Sequence, residues 1–294
     1  MVTDEEAVQL TLYAEDAETF HNRKPAAVPF VKWAGGKRKL VDEILRVAPA
    51  SFERYIEPFV GGGAVALALG HHTMLLNDAN AELINTYRVV RDNLEGLLLL
   101  LNEHRKKHSK DYFYMLREQD VETLSPVEQA ARFIYLNKTC FNGLYRVNRY
   151  GKFNVPFGRY KNPIFYDLTE IQAASRVLQR AELFSEDYQN FLRQHARPGD
   201  FIYLDPPYVP VSRYSDFKRY TKKQFREQDQ KTLVHLYDEL IALGAYPVLS
   251  NSYSELTLAL YAHHHIRVVL APRNINHDGS GRAPIPEILV TPRS

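Results

Sequence analysis

The apolar run Phe201-Ile202-Tyr203-Leu204 is cut off by Asp205-Pro206-Pro207-Tyr208. Proline lacks an N–H and holds φ at about −65°, so a ladder cannot pass through two of them and the strand must stop with free carbonyls. Similar apolar runs occupy residues 55–59, 73–78, 246–250 and 266–270. Helical patterns fall between them, at 64–69, over about 20 residues from Ala81, at roughly 224–243 and at 254–261. This alternation predicts an α/β fold with a mostly parallel, two-sided sheet.

The rhythm breaks between about 102 and 165. From Gln129 to Tyr166 there is no Asp or Glu, yet Arg132, Lys138, Arg146, Arg149, Lys152, Arg159 and Lys161 fall there, interleaved with Phe141, Tyr145, Tyr150, Phe153 and Phe157. Such a stretch suits a surface that meets phosphates and base edges, although a solvated basic hairpin has the same composition. Residues 147–155 read as a β-hairpin turning at Tyr150-Gly151. The expected organisation is a core of residues 29–101 and 166–294, an insertion of 102–165 and an N-terminal extension, 1–28, that is flexible.

The net charge of +2 is too small to name a partner by itself. No run reaches the roughly 18 apolar residues of a membrane span. The acidic start (Asp4, Glu5, Glu6, Glu15, Asp16, Glu18) is the wrong charge for a secretory signal, so a cytoplasmic location is expected. A single cysteine, Cys140, excludes intramolecular disulfides and thiolate zinc cages. His263-His264-His265 are sequential and cannot all converge on one ion from a strand, so no metal is expected.

Three motifs carry chemistry. Gly61-Gly62-Gly63 follows a strand and precedes a helix, where backbone can approach a ligand and helix N–H groups are available. Asp78, ending the next strand, is placed to accept from ribose hydroxyls, or alternatively to cap the following helix. Ala34-Gly35-Gly36-Lys37 fails as a phosphate loop, because Val31 stands where the first glycine is needed and Arg38 where Ser or Thr is needed. Asp205-Pro206-Pro207-Tyr208 presents a carboxylate, a rigid carbonyl and an aromatic face together at a sheet edge. An exocyclic amine on a base has two N–H donors and a flat ring, and needs those three groups.

With these blocks in this order the chain resembles the Dam-type (class α) DNA adenine-N6 methyltransferases, GATC-specific branch, from about Pro29 to Pro292. The matching segments are residues 30–37, 57–63, Asn77-Asp78, 205–208, 249–252 and a tail from Arg273-Asn274-Ile275-Asn276 to Glu287-Ile288-Leu289. The resemblance implies a methyltransferase (Rossmann-like) sheet bearing an inserted helical and hairpin target-recognition domain. It implies S-adenosylmethionine (SAM) as donor, double-stranded DNA as partner and a monomer in solution. Cofactor contacts carried over by position are Trp33, Lys37, Glu57, Phe59, Gly61, Gly63, Asp78 and Asp205, with Asp187 and Tyr188 at the adenine and Glu186 as an adjacent candidate.

The recognition segment implies Arg146 reading a guanine and Lys32 meeting the outer one. Leu144 and Pro156 would lie at a thymine methyl and its neighbours. Phe141, where the family often has Tyr, would wedge into the stack while Asn142 holds the orphaned partner. Asn154, Arg159 and Ser212 would be further DNA contacts, Ser212 within a loop, 209–220, that would face the DNA. The catalytic residues implied are Asp205, Pro206 and Tyr208. Open alternatives are the same chemistry on RNA or another GAT-containing site, and a catalytically idle DNA-binding protein that holds SAM only as a ligand.

Overall fold

Seven strands are present among the residues that the computed structural model describes (24–148, 150–208, 225, 227–271 and 285–293). In chain order they are β1 (Tyr55–Glu57), β2 (Met74–Asn77), β3 (Ala181–Phe184), β4 (Phe201–Leu204), β5 (Tyr246–Ser252), β6 (His265–Ala271) and β7 (Ile285–Thr291). They form one sheet ordered β3-β2-β1-β4-β5-β7-β6. The pairings from β3 through β5 are parallel, and β7 runs antiparallel between β5 and β6. Chain order reverses between β1 and β4. In open α/β sheets the carboxyl ends of the strands flanking such a reversal border the ligand crevice.

The helices are α1 (Val41–Arg46), α2 (Ala64–Leu69), α3 (Ala81–Asp92), α4 (Leu94–Lys107), α5 (Lys110–Glu118), α6 (Pro126–Thr139), α7 (Leu168–Leu178), α8 (Tyr188–His195), α9 (Glu227–Leu243) and α10 (Glu255–Leu260). The single long helix expected from Ala81 is two. Asn93 departs from helical geometry (φ −145°, ψ 54°) and its side chain accepts from Gly96 N, starting α4. Asparagine serves better as a cap than inside a helix, because its amide competes for backbone bonds.

The segment without visible periodicity is largely helical. Helix α6 opens with a full capping box, Ser125 and Glu128 each taking the other's backbone N–H. It packs against α3 and α4 and buries every residue from Ala130 to Asn137. A helix covered all round lacks the polar face that makes a period of 3.6 readable. Strands β3 and β7 were also not evident; β7 carries Pro286, which argues against a strand unless it sits near an end, as it does here. At the amino end, Ala26 and Ala27 already donate backbone hydrogen bonds to Ala68 and Leu67.

Side chains alternate across the sheet. Tyr55, Tyr203, Val248 and Leu289 face one apolar cluster, and Ile56, Ile202, Leu204, Leu249, Ile288 and Val290 face the other. Carried two residues along each strand, the first face brings Glu57, Asp205, Ser250 and Glu287 together at one edge.

Candidate active site

Those four residues form a polar row across the sheet edge. Asp205 Oδ1 accepts from Lys37 Nζ at 2.8 Å and from Ser250 Oγ at 2.9 Å. Ser250 Oγ lies 2.8 Å from the Tyr203 hydroxyl beneath it. Lys37 is 5% exposed, donates to Gly35 O at 2.8 Å and lies 3.8 Å from Glu287 Oε2. Its Nζ stands 4.8 Å from the Tyr208 ring centroid, and Tyr208 donates its hydroxyl to Glu287 Oε2 at 2.7 Å. Pro206 is buried and Pro207 exposed, so the chain turns outward within the tetrapeptide. Lys37 therefore sits inside the tetrapeptide's own hydrogen-bond network. Ser250 and Glu287 fell in matching blocks of the sequence without a role; only strand pairing brings them to Asp205.

The glycine turn stands beside this row. Gly61 and Gly63 have φ of 47° and 67°, in the left-handed region where glycine is strongly favoured. A Cβ on Gly61 would lie 2.8 Å from the Trp33 ring, and one on Gly63 2.6 Å from the Tyr87 hydroxyl, which itself donates to Gly61 O. Asp78 accepts from Gly61 N at 3.0 Å and from Asn80 N at 2.9 Å. The cap of α3 is Asn80, whose side chain accepts from Leu83 N, so capping does not explain Asp78. Burial pushes the Asp78 carboxyl up to about 6. Asn77, fully buried, donates to Pro58 O and Glu186 O and accepts from Glu186 N, tying the ends of β1, β2 and β3 together. Asp187 caps α8 and is exposed. Tyr188 is buried, its ring 5.0 Å from Phe59 and 6.0 Å from Phe225.

Glu57 is 2% exposed and accepts from the Tyr55 hydroxyl at 2.8 Å. Desolvation pushes its carboxyl up to about 8, the Tyr55 bond offsetting part of the rise. The folded protein thus keeps a proton that the unfolded chain releases near 4.5, so this group's contribution to stability is fully present below about 4.5 and is lost as pH rises through about 8. Glu57→Gln should flatten that decline; Tm measured from pH 5 to 9 checks it, and a slope identical to wild type would place the titration elsewhere.

The predicted recognition residues converge on a second surface, after α6. Backbone bridges Cys140↔Phe157 and Val147↔Phe153 fold the segment back on itself, and Gly151 (φ 81°) turns the expected hairpin. Asn137 accepts from Lys32 N and donates to Lys32 O and Gly143 O, which joins Lys32 to the Phe141-Asn142-Gly143 turn. Phe141 is 38% exposed, and its N–H reaches Pro156 O. Asn142 and Arg159 adopt positive φ, 55° and 57°. Arg146 donates through Nε to Asn154 Oδ1 at 2.8 Å. Lys32 Nζ lies 5.0 Å from the Tyr160 ring centroid. Leu144 is half-buried.

Two expectations about this surface change. Arg132 points inward, 3% exposed, donating to Leu116 O and Arg117 O and pairing with Glu82 at 3.3 Å, so it closes α5 rather than meeting phosphate. Tyr145, Phe153 and Val155 are buried in the core. Composition could not separate core aromatics from exposed ones, because alternation in a short hairpin sends every second ring inward. His263 and His264 both approach Asp238 Oδ1, at 3.3 and 2.8 Å, from the turn ahead of β6. Ser212, the loop 209–220, Arg149 and Arg273 to Asn276 lie outside the described residues, as do residues 1–23. Among the described residues no helix is long and apolar enough to cross a membrane.

The family model of the D12 class N6 adenine-specific DNA methyltransferases matches residues 33–275. A type II methyltransferase of Lactococcus lactis subsp. cremoris is 41% identical over 269 residues, 90% of this chain and 94% of that protein. A DNA adenine methylase of Serratia marcescens is 40% identical over 266 residues, 88% and 96% of the two chains. That of Escherichia coli (strain K12) is 33% identical over 262 residues, 88% and 93%. The mostly parallel sheet, with β7 inserted antiparallel, agrees with the methyltransferase fold these similarities imply. The chain therefore belongs to the D12 class of N6 adenine-specific DNA methyltransferases, and it is an enzyme.

Proposed function

We propose that the protein extrudes adenine from duplex DNA at GATC and moves a methyl group from SAM to its N6. The observation that carries this is the meeting, at one sheet edge, of the glycine turn, Asp78 and the Asp205 network. The cradle fits the donor: the Trp33 ring and bare Gly61 backbone stand so close that no Cβ fits between them, and Asp78 is a half-buried acceptor at the end of β2. Trp33, Lys37, Glu57, Phe59, Gly61, Gly63, Asp78, Asp187, Tyr188 and Asp205 would hold SAM, which supplies a methyl group on a cationic sulfur.

Adenine N6 is a weak nucleophile because its lone pair is delocalised into the ring, and inside the duplex it is engaged in pairing, so the base must leave the stack. Lys37 and Ser250 both hold Asp205 Oδ1, which fixes the carboxylate plane. Oδ2 then accepts one N6 hydrogen and the Pro206 carbonyl the other, drawing the lone pair out of conjugation. Tyr208 stacks on the extruded ring. As positive charge grows on N6, the Asp205 carboxylate stabilises it, and the proton leaves to water after transfer.

In this reading residues 102–165 are the target-recognition insertion and 29–101 with 166–294 the catalytic part, acting in the cytoplasm as a monomer. Lys32, Phe141, Asn142, Leu144, Arg146, Asn154, Pro156 and Arg159 meet the DNA, joined by Ser212. Asn154 gives Arg146 a fixed direction, which suits a bidentate contact to a guanine edge. Arg146→Ala should cost about 1–3 kcal/mol and relax one base position. Tritiated-methyl transfer to duplexes substituted at each GATC position measures it; a uniform loss across all sequences would make Arg146 a phosphate contact. The same assay on structured RNA tests the substrate, since preferential methylation of RNA would overturn the duplex reading.

A further inference from the structure

The two prolines set the backbone ahead of Tyr208 but leave its side-chain torsions free. What holds the ring comes from the far end of the chain. Glu287 pairs with Ser252 at the carboxyl end of β5, and its carboxylate takes the Tyr208 hydroxyl at 2.7 Å. It also shares the Lys37 ammonium with Asp205, at 3.8 and 2.8 Å. Burial holds the Tyr208 phenol well above its ordinary range, so the hydroxyl is the donor and the carboxylate the acceptor. A phenol donating to a carboxylate makes a short, charge-assisted bond with a preferred direction.

We propose that Glu287 is a positioning residue for methyl transfer: by accepting the Tyr208 hydroxyl and flanking Lys37, it fixes the plane of the ring on which the target base lies. Glu287 has this role only if Tyr208 stacks on an extruded adenine, as proposed above. Through β7 the aromatic face is tied to the rigid sheet, on the same side as Asp205 and Lys37. A base stacked on a ring free to turn would present N6 off line, and a misplacement of about 1 Å can cost on the order of 10²-fold in rate. The loss should therefore fall on turnover and leave duplex affinity alone.

A double-mutant cycle of Glu287→Ala and Tyr208→Phe, with Glu287→Gln as the conservative variant, tests it. The readouts are kcat and KM on a GATC duplex, Tm, and the fluorescence of 2-aminopurine at the target position. Each single change should lower kcat about tenfold at unchanged KM and shift the fluorescence of the bound duplex. The double variant should be no slower than either single one, and Glu287→Gln, which keeps an acceptor, should recover most of the rate. A double variant about a hundredfold slower than wild type, or a Glu287→Ala that loses Tm alone, would overturn the assignment.

If wild type methylates no adenine in duplex DNA, the proposed function fails. The Tm cycle still reports on the Tyr208–Glu287 coupling, and additive Tm losses would overturn that too. Should Glu287→Ala not fold, Tyr208→Phe alone decides, because wild-type kcat and fluorescence in that variant leave the hydroxyl bond without a role.

Discussion

Asp205→Ala is expected to lower methyl transfer by at least ~10³-fold, the upper range for deleting one group that stabilises developing charge. The carboxylate has two tasks that alanine cannot share: its Oδ1 anchors Lys37 and Ser250, and in the proposed mechanism its other oxygen would face the nucleophile. Duplex binding should survive, because the proposed recognition surface is built after α6 by Asn137, Pro156 and Asn154, none of which depends on Asp205. Single-turnover transfer on a GATC duplex, paired with a binding titration, separates the two effects. Asp205→Asn retains an acceptor for Lys37 and should fold as well as wild type while remaining severely impaired. Unimpaired transfer in either variant would remove Asp205 from the mechanism.

Lys37→Met should be nearly as damaging, through stability as well as rate. The ammonium is 5% exposed and stands between two carboxylates, so removing it strands Asp205 and Glu287 in a largely desolvated site. Breaking a buried ion pair from one side costs about 3–5 kcal/mol. In a Glu287→Gln background the same change should cost less, since only one carboxylate is then stranded. Thermal unfolding of the four proteins measures this, and equal losses in both backgrounds would mean that Lys37 does not serve Glu287.

The site was partly legible because proline, glycine and short apolar runs act locally. Pro206 and Pro207 stop β4 wherever that strand lies in space, so the position of Asp205 at a strand end could be read directly. Gly61 and Gly63 announced a turn that other residues would strain, and the structure shows what occupies the space a side chain would need. Helix α6 escaped notice for the opposite reason: its burial on all sides erased the periodic signal, and only its capping residues mark where it begins.

Charge misled in the same way. Arg132 belongs to a run of basic residues with no acidic neighbour in sequence, yet Glu82, on α3, is 3.3 Å away in space. An ion pair between distant segments leaves no trace in local composition. Cys140 is fully buried, and burial pushes its thiol up to about 12.

From the chain alone came the α/β class, the strand that ends in the tetrapeptide, the glycine turn and the ordered blocks of the adenine methyltransferase family. Each depends on neighbours a few residues apart. Tertiary structure decided which residues surround Asp205. Lys37, Ser250 and Glu287 stand 168, 45 and 82 residues from it in the sequence. Ser250 and Glu287 reach it because parallel pairing of β4 with β5, and antiparallel pairing of β5 with β7, put one face of three strands at a common edge, and Lys37 arrives from the loop ahead of α1. Strand order is set by how the whole apolar surface packs into two layers, a property that no short segment of sequence contains.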